Sequence, residues 1–194
     1  RQIKTGERKI TKLWQPHFNL PQNGPKGLEQ TCYHFEYQGV FFLVLNGNEK
    51  LEEQARWMER ILRTNKLSWI IVAIHQPIYS TSKKRNVTIY QNLFAPIFDR
   101  FGVDLVLQGH DHAYSRTFPL KNHEKTKPGE KGTIYLMSIT GPKSYPIDSR
   151  YAHLFAASTV DKQLFQSVRV EPKKIEVKAF DLSGKIFDTF ELHK

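Results

Sequence analysis

Two histidines that follow an apolar run are the residues of this chain best placed to do chemistry. His110 and His112 come directly after the apolar segment 103–107, with Gln108 and Gly109 between. In extended backbone, residues i and i+2 face the same side, so these imidazoles are predicted to reach adjacent metal ions. Gly109 is predicted to supply the sharp turn at the strand end. Open α/β sheets hold their active sites at the carboxyl ends of such strands, so the pattern predicts a metal site.

A third histidine occupies the same kind of position earlier in the chain. His75 follows the apolar run 69–74, which is typical of a strand covered on both faces, and Pro77 ends that run. Between the two runs, apolar residues recur with a helical period through 89–101. A strand, helix and strand in this order predict parallel, neighbouring strands. The three histidines are therefore expected to converge.

The remaining patterns predict the scaffold of an α/β domain. A strand is predicted at 40–45, and one apolar helix face is marked by Leu51, Ala55, Met58 and Leu62. Charges with Pro128 and Gly129 indicate an exposed loop over 121–132, and a strand follows at 133–139. Alternating apolar and polar residues predict half-exposed antiparallel strands at 164–170, 174–180 and 186–191.

Three segments resemble the motifs of calcineurin-like metallophosphoesterases, and among these the purple acid phosphatases. They are His-Gln-Pro-Ile-Tyr-Ser from His75, Gly-His-Asp-His-Ala-Tyr-Ser-Arg from Gly109, and Gly-Thr-Ile-Tyr-Leu from Gly132. The resemblance implies a four-layer α/β/β/α sandwich, of which residues 1–194 would be the carboxyl-terminal half of the catalytic domain. The amino-terminal half, with the family's Asp-x-His, Gly-Asp and Gly-Asn-His motifs, is expected upstream of Arg1.

The resemblance also implies ligands, metals and a reaction. His75 and His110 match ligands of the second metal and His112 a ligand of the first, with iron paired with iron, zinc or manganese in the complete enzyme. The implied reaction is phosphate-ester hydrolysis of the acid phosphatase (phosphomonoesterase) kind, with metal-bound hydroxide as the nucleophile. Without the aspartate ligands, this chain alone is expected to bind at most one ion weakly and to be inactive. A secreted or periplasmic location is implied as well.

Neighbouring residues receive supporting roles. Asp111 is expected to orient a ligand imidazole, and Tyr114, like Arg116, to support the ligands or to pack rather than to catalyse. Lys83, Lys84 and Arg85 lie on the loop after His75. They are predicted to bind substrate phosphate where plant relatives have histidines, and a solvated turn is the equally weighted alternative.

Composition narrows the class of protein. The formal net charge of +10 comes from scattered basic residues with no nucleic-acid motif, so a solvated surface is favoured over nucleic-acid binding. No apolar run approaches the roughly 20 residues that span a bilayer. The single Cys32 excludes an intrachain disulfide and is expected to fill apolar space. Nothing in the sequence indicates an oligomeric state.

Two other classes of function stay open at this point. One is a metal-deficient binding module that keeps the fold but not the chemistry. Absence of the aspartate motifs from the upstream sequence would favour this hypothesis. The other is a basic polyanion-binding domain in which the histidines are incidental. A steep fall of nucleic-acid affinity with salt, accompanied by selectivity, would support that third hypothesis.

Overall fold

Strands make up most of the regular secondary structure of the described residues. The computed structural model describes residues 13–82, 84–147 and 149–194. Its strands are β1 (Tyr33–Tyr37), β2 (Val40–Leu45), β3 (Trp69–Ile74), β4 (Leu105–Gln108), β5 (Tyr114–Thr117), β6 (Leu120–Lys121), β7 (Glu124–Lys125), β8 (Ile134–Met137), β9 (Phe155–Thr159), β10 (Leu164–Glu171), β11 (Lys174–Asp181) and β12 (Ile186–His193). Its helices are α1 (Trp14–His17), α2 (Leu51–Leu62), α3 (Thr88–Leu93) and α4 (Ala95–Phe101), with a 3-10 turn at Ala152–Leu154.

A seven-stranded sheet in the order β1-β2-β3-β4-β8-β5-β9 is the frame of the molecule. The four strands β2, β3, β4 and β8 run parallel, and β1, β5 and β9 are antiparallel to their neighbours. The parallel pairing of β3 with β4 is the one that the strand–helix–strand pattern predicts. It follows that residues at the ends of β3 and β4 lie side by side.

Alternate residues of this sheet serve two separate cores. On one face, Leu43, Val72 and Val106 pack against the helices through residues such as Met58 and Phe98. On the other face, Ile71, Leu105 and Leu136 pack against the three-stranded sheet β10-β11-β12 through residues that include Ile175 and Val177. The described residues thus form three layers: helices, the seven-stranded sheet and the three-stranded sheet. The predicted α/β class is confirmed.

The segment 89–101 is not the single helix that its periodicity predicts. It forms two helices, α3 and α4, that meet at Phe94. Pro96 lies in the first turn of α4, and a proline there has no N–H to bond to the preceding turn, so a continuous helix is disfavoured. The predicted loop 121–132 is also partly structured, because β6 and β7 form a short hairpin within 120–125.

No helix in the described part of the chain is long and apolar enough to cross a bilayer.

Candidate metal centre

His75 and His110 meet at the carboxyl ends of two parallel strands. The backbone N–H of Gly109 donates to the His75 carbonyl at 3.1 Å, which extends the β3–β4 ladder beyond the last residues of the strands. Directly above this bond, His75 Nε2 lies 3.0 Å from His110 Nδ1. The two rings are 4.9 Å apart and nearly perpendicular. His75 is exposed and His110 half-buried, so these two side chains, the histidine pair, face solvent.

The backbone around the second motif differs from the extended segment expected from the sequence. His110 (φ 78°) and His112 (φ 51°) both adopt left-handed conformations, whereas Gly109 has no positive φ. A left-handed residue with a Cβ costs roughly 1–2 kcal/mol, because that atom crowds the following carbonyl oxygen. The expectation that i and i+2 share a face of an extended strand is therefore wrong here. The chain turns at the histidines rather than at the glycine.

His112 is held by the loop that follows β8. Its Nδ1 lies 3.2 Å from the carbonyl oxygen of Lys143, and the Tyr145 N–H donates to the His112 carbonyl at 3.2 Å. The Tyr145 ring lies 5.0 Å from the imidazole. A carbonyl can only accept, so this contact places a proton on Nδ1, and in the neutral imidazole Nε2 then keeps its lone pair.

The electrostatics of the site favour a neutral His110. Its pKa is lowered from the usual value, first by burial and then by the positive charges of Arg85 and His75, with a smaller contribution from His112. A neutral imidazole is the form that binds metal.

The histidine pair fits a divalent metal ion. Histidine nitrogens bind such an ion at about 2.0–2.1 Å, so two of them lie roughly 3.0 Å apart at the right angle of an octahedral site and roughly 3.4 Å apart at a tetrahedral zinc. His75 Nε2 and His110 Nδ1 have the first of these separations, at 3.0 Å. Within residues 13–82, 84–147 and 149–194, no group of three or more His, Cys, Asp or Glu side chains is arranged to hold a metal. The pair therefore presents two nitrogens, and the expected convergence of all three histidines is not found among the described residues.

Asp111 is buried between the two left-handed histidines. Its carboxylate accepts from Ser80 Oγ at 2.5 Å, from the Thr81 N–H at 2.9 Å, from Thr81 Oγ1 at 3.3 Å and from Arg85 Nε. The sequence suggested that Asp111 orients a ligand imidazole. Its described contacts instead go to the loop that follows His75.

The other predicted residues are spread around this centre. Lys83 lies outside the described residues, Lys84 is exposed, and the Arg85 side chain is 31% exposed with Nε on Asp111. The phenol of Tyr114 is buried and donates to Asp188 Oδ2 at 2.8 Å, next to Arg116, which also binds Asp188. Tyr114 therefore joins β5 to β12.

A cavity of about 810 Å³ opens beside His75, at the carboxyl ends of β2, β3 and β4. Its apolar lining includes Val44, Ala73 and Leu107, which occupy one row across the three strands. Gln30 and Gln76 line it too, and each has a buried Oε1 without a described hydrogen-bond partner.

Comparison with known proteins identifies the family. Residues 7–114 match the calcineurin-like phosphoesterase family, which is more than half of the chain. The chain belongs to this family. It is 38% identical over 130 residues to an uncharacterized protein of Mycobacterium tuberculosis, across 56% of this chain and 24% of that protein. An acid phosphatase of Aspergillus ficuum is 32% identical over 107 residues, across 54% of this chain and 15% of the relative.

Purple acid phosphatases are among the relatives of this calcineurin-like phosphoesterase chain. Purple acid phosphatase 15 of Arabidopsis thaliana is 27% identical over 126 residues, across 61% of this chain and 24% of the relative. The structure of purple acid phosphatase PPD1 from yellow lupin seeds superposes with a TM-score of 0.71 at 19% identity, covering 92% of this chain and 35% of that one. The predicted metallophosphoesterase fold is confirmed. The chain spans about a quarter or less of these curated relatives.

Two features of the phosphoesterase site were not predicted from the sequence. Gln108, the last residue of β4, accepts from the Ile78 N–H at 2.8 Å and donates to the Tyr79 carbonyl at 2.9 Å. A glutamine at the end of an apolar strand was the available signal, because a buried amide needs partners. The loop around Lys143 and Tyr145 carries no local signal, since its contact with His112 depends on the packing of distant segments.

Proposed function

We propose that the parent protein hydrolyses phosphate esters at a two-metal centre to which His75, His110 and His112 contribute ligands. The observation that carries the proposal is the 3.0 Å separation of His75 Nε2 and His110 Nδ1 at adjoining strand ends. Membership of the calcineurin-like phosphoesterase family supports the reaction, and the purple acid phosphatase relatives support an acid phosphatase-like phosphomonoesterase.

The side chains would act as ligands and not as proton donors. His75 and His110 would hold one cation through Nε2 and Nδ1, and His112 would bind the other through Nε2, since its Nδ1 faces the Lys143 carbonyl. When bound, the metal ions supply an ionised water as nucleophile and neutralise charge on the phosphoryl group. Iron paired with iron, zinc or manganese is the proposed metal content, which elemental analysis of the full-length protein tests.

Zn²⁺ binding tests the ligand assignment directly. His75→Ala and His110→Ala should each lower the Zn²⁺ affinity of the chain at least about ten-fold, because each removes one of few nitrogen ligands. His123→Ala is the matched control, since that imidazole contacts Tyr79 through Nδ1 at 3.0 Å and has no predicted metal role. Calorimetric titration with Zn²⁺ alone measures this. Equal affinities in all four proteins would refute the assignment.

We also infer that residues 1–194 are the carboxyl-terminal half of the catalytic domain and that further polypeptide covers an open sheet face. This face comprises Val44, Ala73 and Leu107, with Phe35 and Tyr37 on the adjoining strand β1. Phe35 is 38% and Tyr37 is 61% exposed, although both are on the side of the sheet that elsewhere packs on β10–β12. Val168 of β10, which pairs with the buried Val177, is 39% exposed as well. An uncovered apolar surface between two sheets is unfavourable in water, which supports a missing layer.

Turnover by the isolated chain tests that inference. With p-nitrophenyl phosphate and added Mn²⁺, Zn²⁺ or Fe²⁺, the chain should be far slower than the full-length protein, because the bridging carboxylates belong to the other half. Equal rates would overturn the division of the site. The secreted or periplasmic location stays a prediction, and fractionation of cells that express the full-length gene tests it.

The loop after His75 is the proposed phosphate contact. Lys84 is exposed beside Arg85, whose positive charge acts on His110. In the full-length enzyme, Lys84→Ala should raise KM more than it lowers kcat, as expected when a contact is made equally in ground and transition states. Lys127→Ala, in the exposed turn that follows β7, is the control. An unchanged KM at low salt would mean that Lys84 is ordinary surface charge.

A further inference from the structure

The two left-handed histidines flank a single buried carboxylate. His110 and His112, with φ values of 78° and 51°, stand on either side of Asp111, whose side chain is fully buried. Non-glycine residues rarely adopt this conformation, and they keep it only where the surrounding contacts over-determine the backbone. Asp111 lies between these two histidines, and its buried contacts are the ones that hold the backbone at this point.

Every described partner of the Asp111 carboxylate comes from the loop that begins at His75. Oδ2 accepts from the hydroxyl of Ser80 at 2.5 Å and from the N–H of Thr81 at 2.9 Å, and Oδ1 accepts from Arg85. Ser80 and Thr81 are themselves buried. A carboxylate removed from water is stable only with such donors, so the loop and the Asp111 backbone are fixed relative to each other.

The Asp111 contact therefore joins the two segments that carry the imidazoles. One segment is the loop from His75 to Arg85, and the other is the turn from Gly109 to His112. Gln108 adds neutral hydrogen bonds to Ile78 and Tyr79, but only Asp111 adds a charge at the position between the histidines.

We propose that Asp111 is a positioning residue that sets the directions of His110 and His112 toward the metal through its buried contacts with Ser80, Thr81 and Arg85. It acts on the histidines through the backbone and through the loop, not through a hydrogen bond to an imidazole. Arg85 is its counter-charge. The inference rests on the proposed metal role of the histidines, so its test includes a measurement that needs no metal.

Asp111→Asn removes the charge and keeps the size of the side chain. Zn²⁺ affinity of the chain, measured by calorimetry, should fall by about 10- to 100-fold, which is typical when a group that orients a metal ligand is lost. Asp104→Asn is the matched control, because Asp104 also accepts from a backbone N–H and a cation in a mostly buried site, from Ile70 at 2.9 Å and Lys194 Nζ at 2.5 Å, but it lies at the opposite ends of β3 and β4. It should change Zn²⁺ affinity by less than about two-fold. Equal losses in both variants would mean general loosening and would overturn the proposal.

The metal-free measurement uses the imidazole nitrogens. In long-range ¹H–¹⁵N spectra of the chain, His75 Nε2 and His110 Nδ1 should show a shared proton across their 3.0 Å contact, and His112 should carry its proton on Nδ1. Asp111→Asn should abolish the shared-proton signature, while Asp104→Asn should keep it. Unchanged imidazole spectra in Asp111→Asn would overturn the proposal. If the spectra change but no variant or parent binds Zn²⁺, positioning is supported and the metal function is refuted.

Ser80→Ala provides a second variant in case Asp111→Asn does not fold. It deletes one hydroxyl donor to the same carboxylate and leaves the Arg85 contact in place. Zn²⁺ affinity should fall and the shared-proton signal should weaken, as expected for Asp111→Asn, but each by a smaller factor. A folded Ser80→Ala chain with parental Zn²⁺ affinity and parental imidazole spectra would count against the proposal.

Discussion

Replacing Asp188 by asparagine should strongly destabilise the folded chain. Asp188 accepts from Arg116 through Nε at 2.7 Å and Nη2 at 3.0 Å, and from the Tyr114 hydroxyl at 2.8 Å. The Arg116 and Asp188 side chains are 14% and 9% exposed. The group thus links the seven-stranded sheet to the three-stranded sheet at a place that water barely reaches.

The magnitude follows from that burial. Removing one partner of a buried ion pair costs about 3–5 kcal/mol, because the remaining charge is left uncompensated. The asparagine oxygen still accepts one bond and Arg116 keeps slight access to water, so we expect a loss of about 2–4 kcal/mol in the free energy of unfolding. Glu59→Gln is the contrast, since its pair with Arg100 at 2.6 Å is 58% exposed on the arginine side. Surface pairs contribute about 0–1 kcal/mol.

Urea unfolding at neutral pH, followed by tryptophan fluorescence and circular dichroism, measures both variants. A loss for Asp188→Asn no larger than that for Glu59→Gln would refute the argument from burial.

The pH dependence of stability gives a second check. Burial alone would raise the pKa of Asp188, but hydrogen bonds from Arg116 and Tyr114 with the arginine charge outweigh it and lower the pKa below the usual 3.8.

A carboxyl with a lowered pKa stabilises the fold above its unfolded-state pKa and loses that contribution as the pH falls through the folded value. The stability difference between the parent and Asp188→Asn should therefore be constant from about pH 5 to 8 and should shrink below about pH 4. A difference that persists undiminished into strong acid would show that charge is not its origin.

Three further outcomes are expected. Burial raises the pKa of the Cys32 thiol to about 12, so native chain should react with a disulfide reagent about 10³-fold more slowly than urea-unfolded chain, and comparable rates would contradict this. Gly102 caps α4 at φ 65°, with open space where a methyl group would project. Gly102→Ala should therefore lower the free energy of unfolding, measured in urea, by about 1 kcal/mol, and Gly102→Asn should lower it by less. Phe98 is fully buried, so Phe98→Ala should cost about 3–5 kcal/mol, and a loss below about 1 kcal/mol would mean that the helix layer packs loosely.

The central strands could be predicted from the sequence because a strand buried on both faces is apolar at nearly every position. The run that became β3 is apolar at every position, and the helix α2 buries Met58 and Leu62 as its periodicity predicts. The strand β5 could not be predicted in this way. It begins only two residues after His112 and contains Ser115 and Arg116, so neither hydrophobic alternation nor a turn signal marks it.

The contact between His75 and His110 was predictable from the sequence, and the backbone geometry around it was less so. Histidines after two apolar runs indicated the contact between His75 and His110, because parallel neighbours end at the same edge. The left-handed turns at His110 and His112 could not be predicted, since they depend on where a loop some thirty residues earlier buries its donors against Asp111. A buried charge is recognised from its partners, and partners distant in sequence leave no local pattern.

The hydrogen bond from the Gly109 amide to the His75 carbonyl has a consequence for the dynamics of the centre. It is the outermost rung of the β3–β4 ladder, and the histidine pair lies directly above it. The amide proton of Gly109 can exchange with solvent only when this hydrogen bond opens, so its exchange rate reports how often the two strand ends that carry the imidazoles separate. Anything that holds both imidazoles at once must slow that exchange, by a factor set by its affinity and concentration. Exchange of this one amide proton thus measures whether the site is closed, with no need for a catalytic assay.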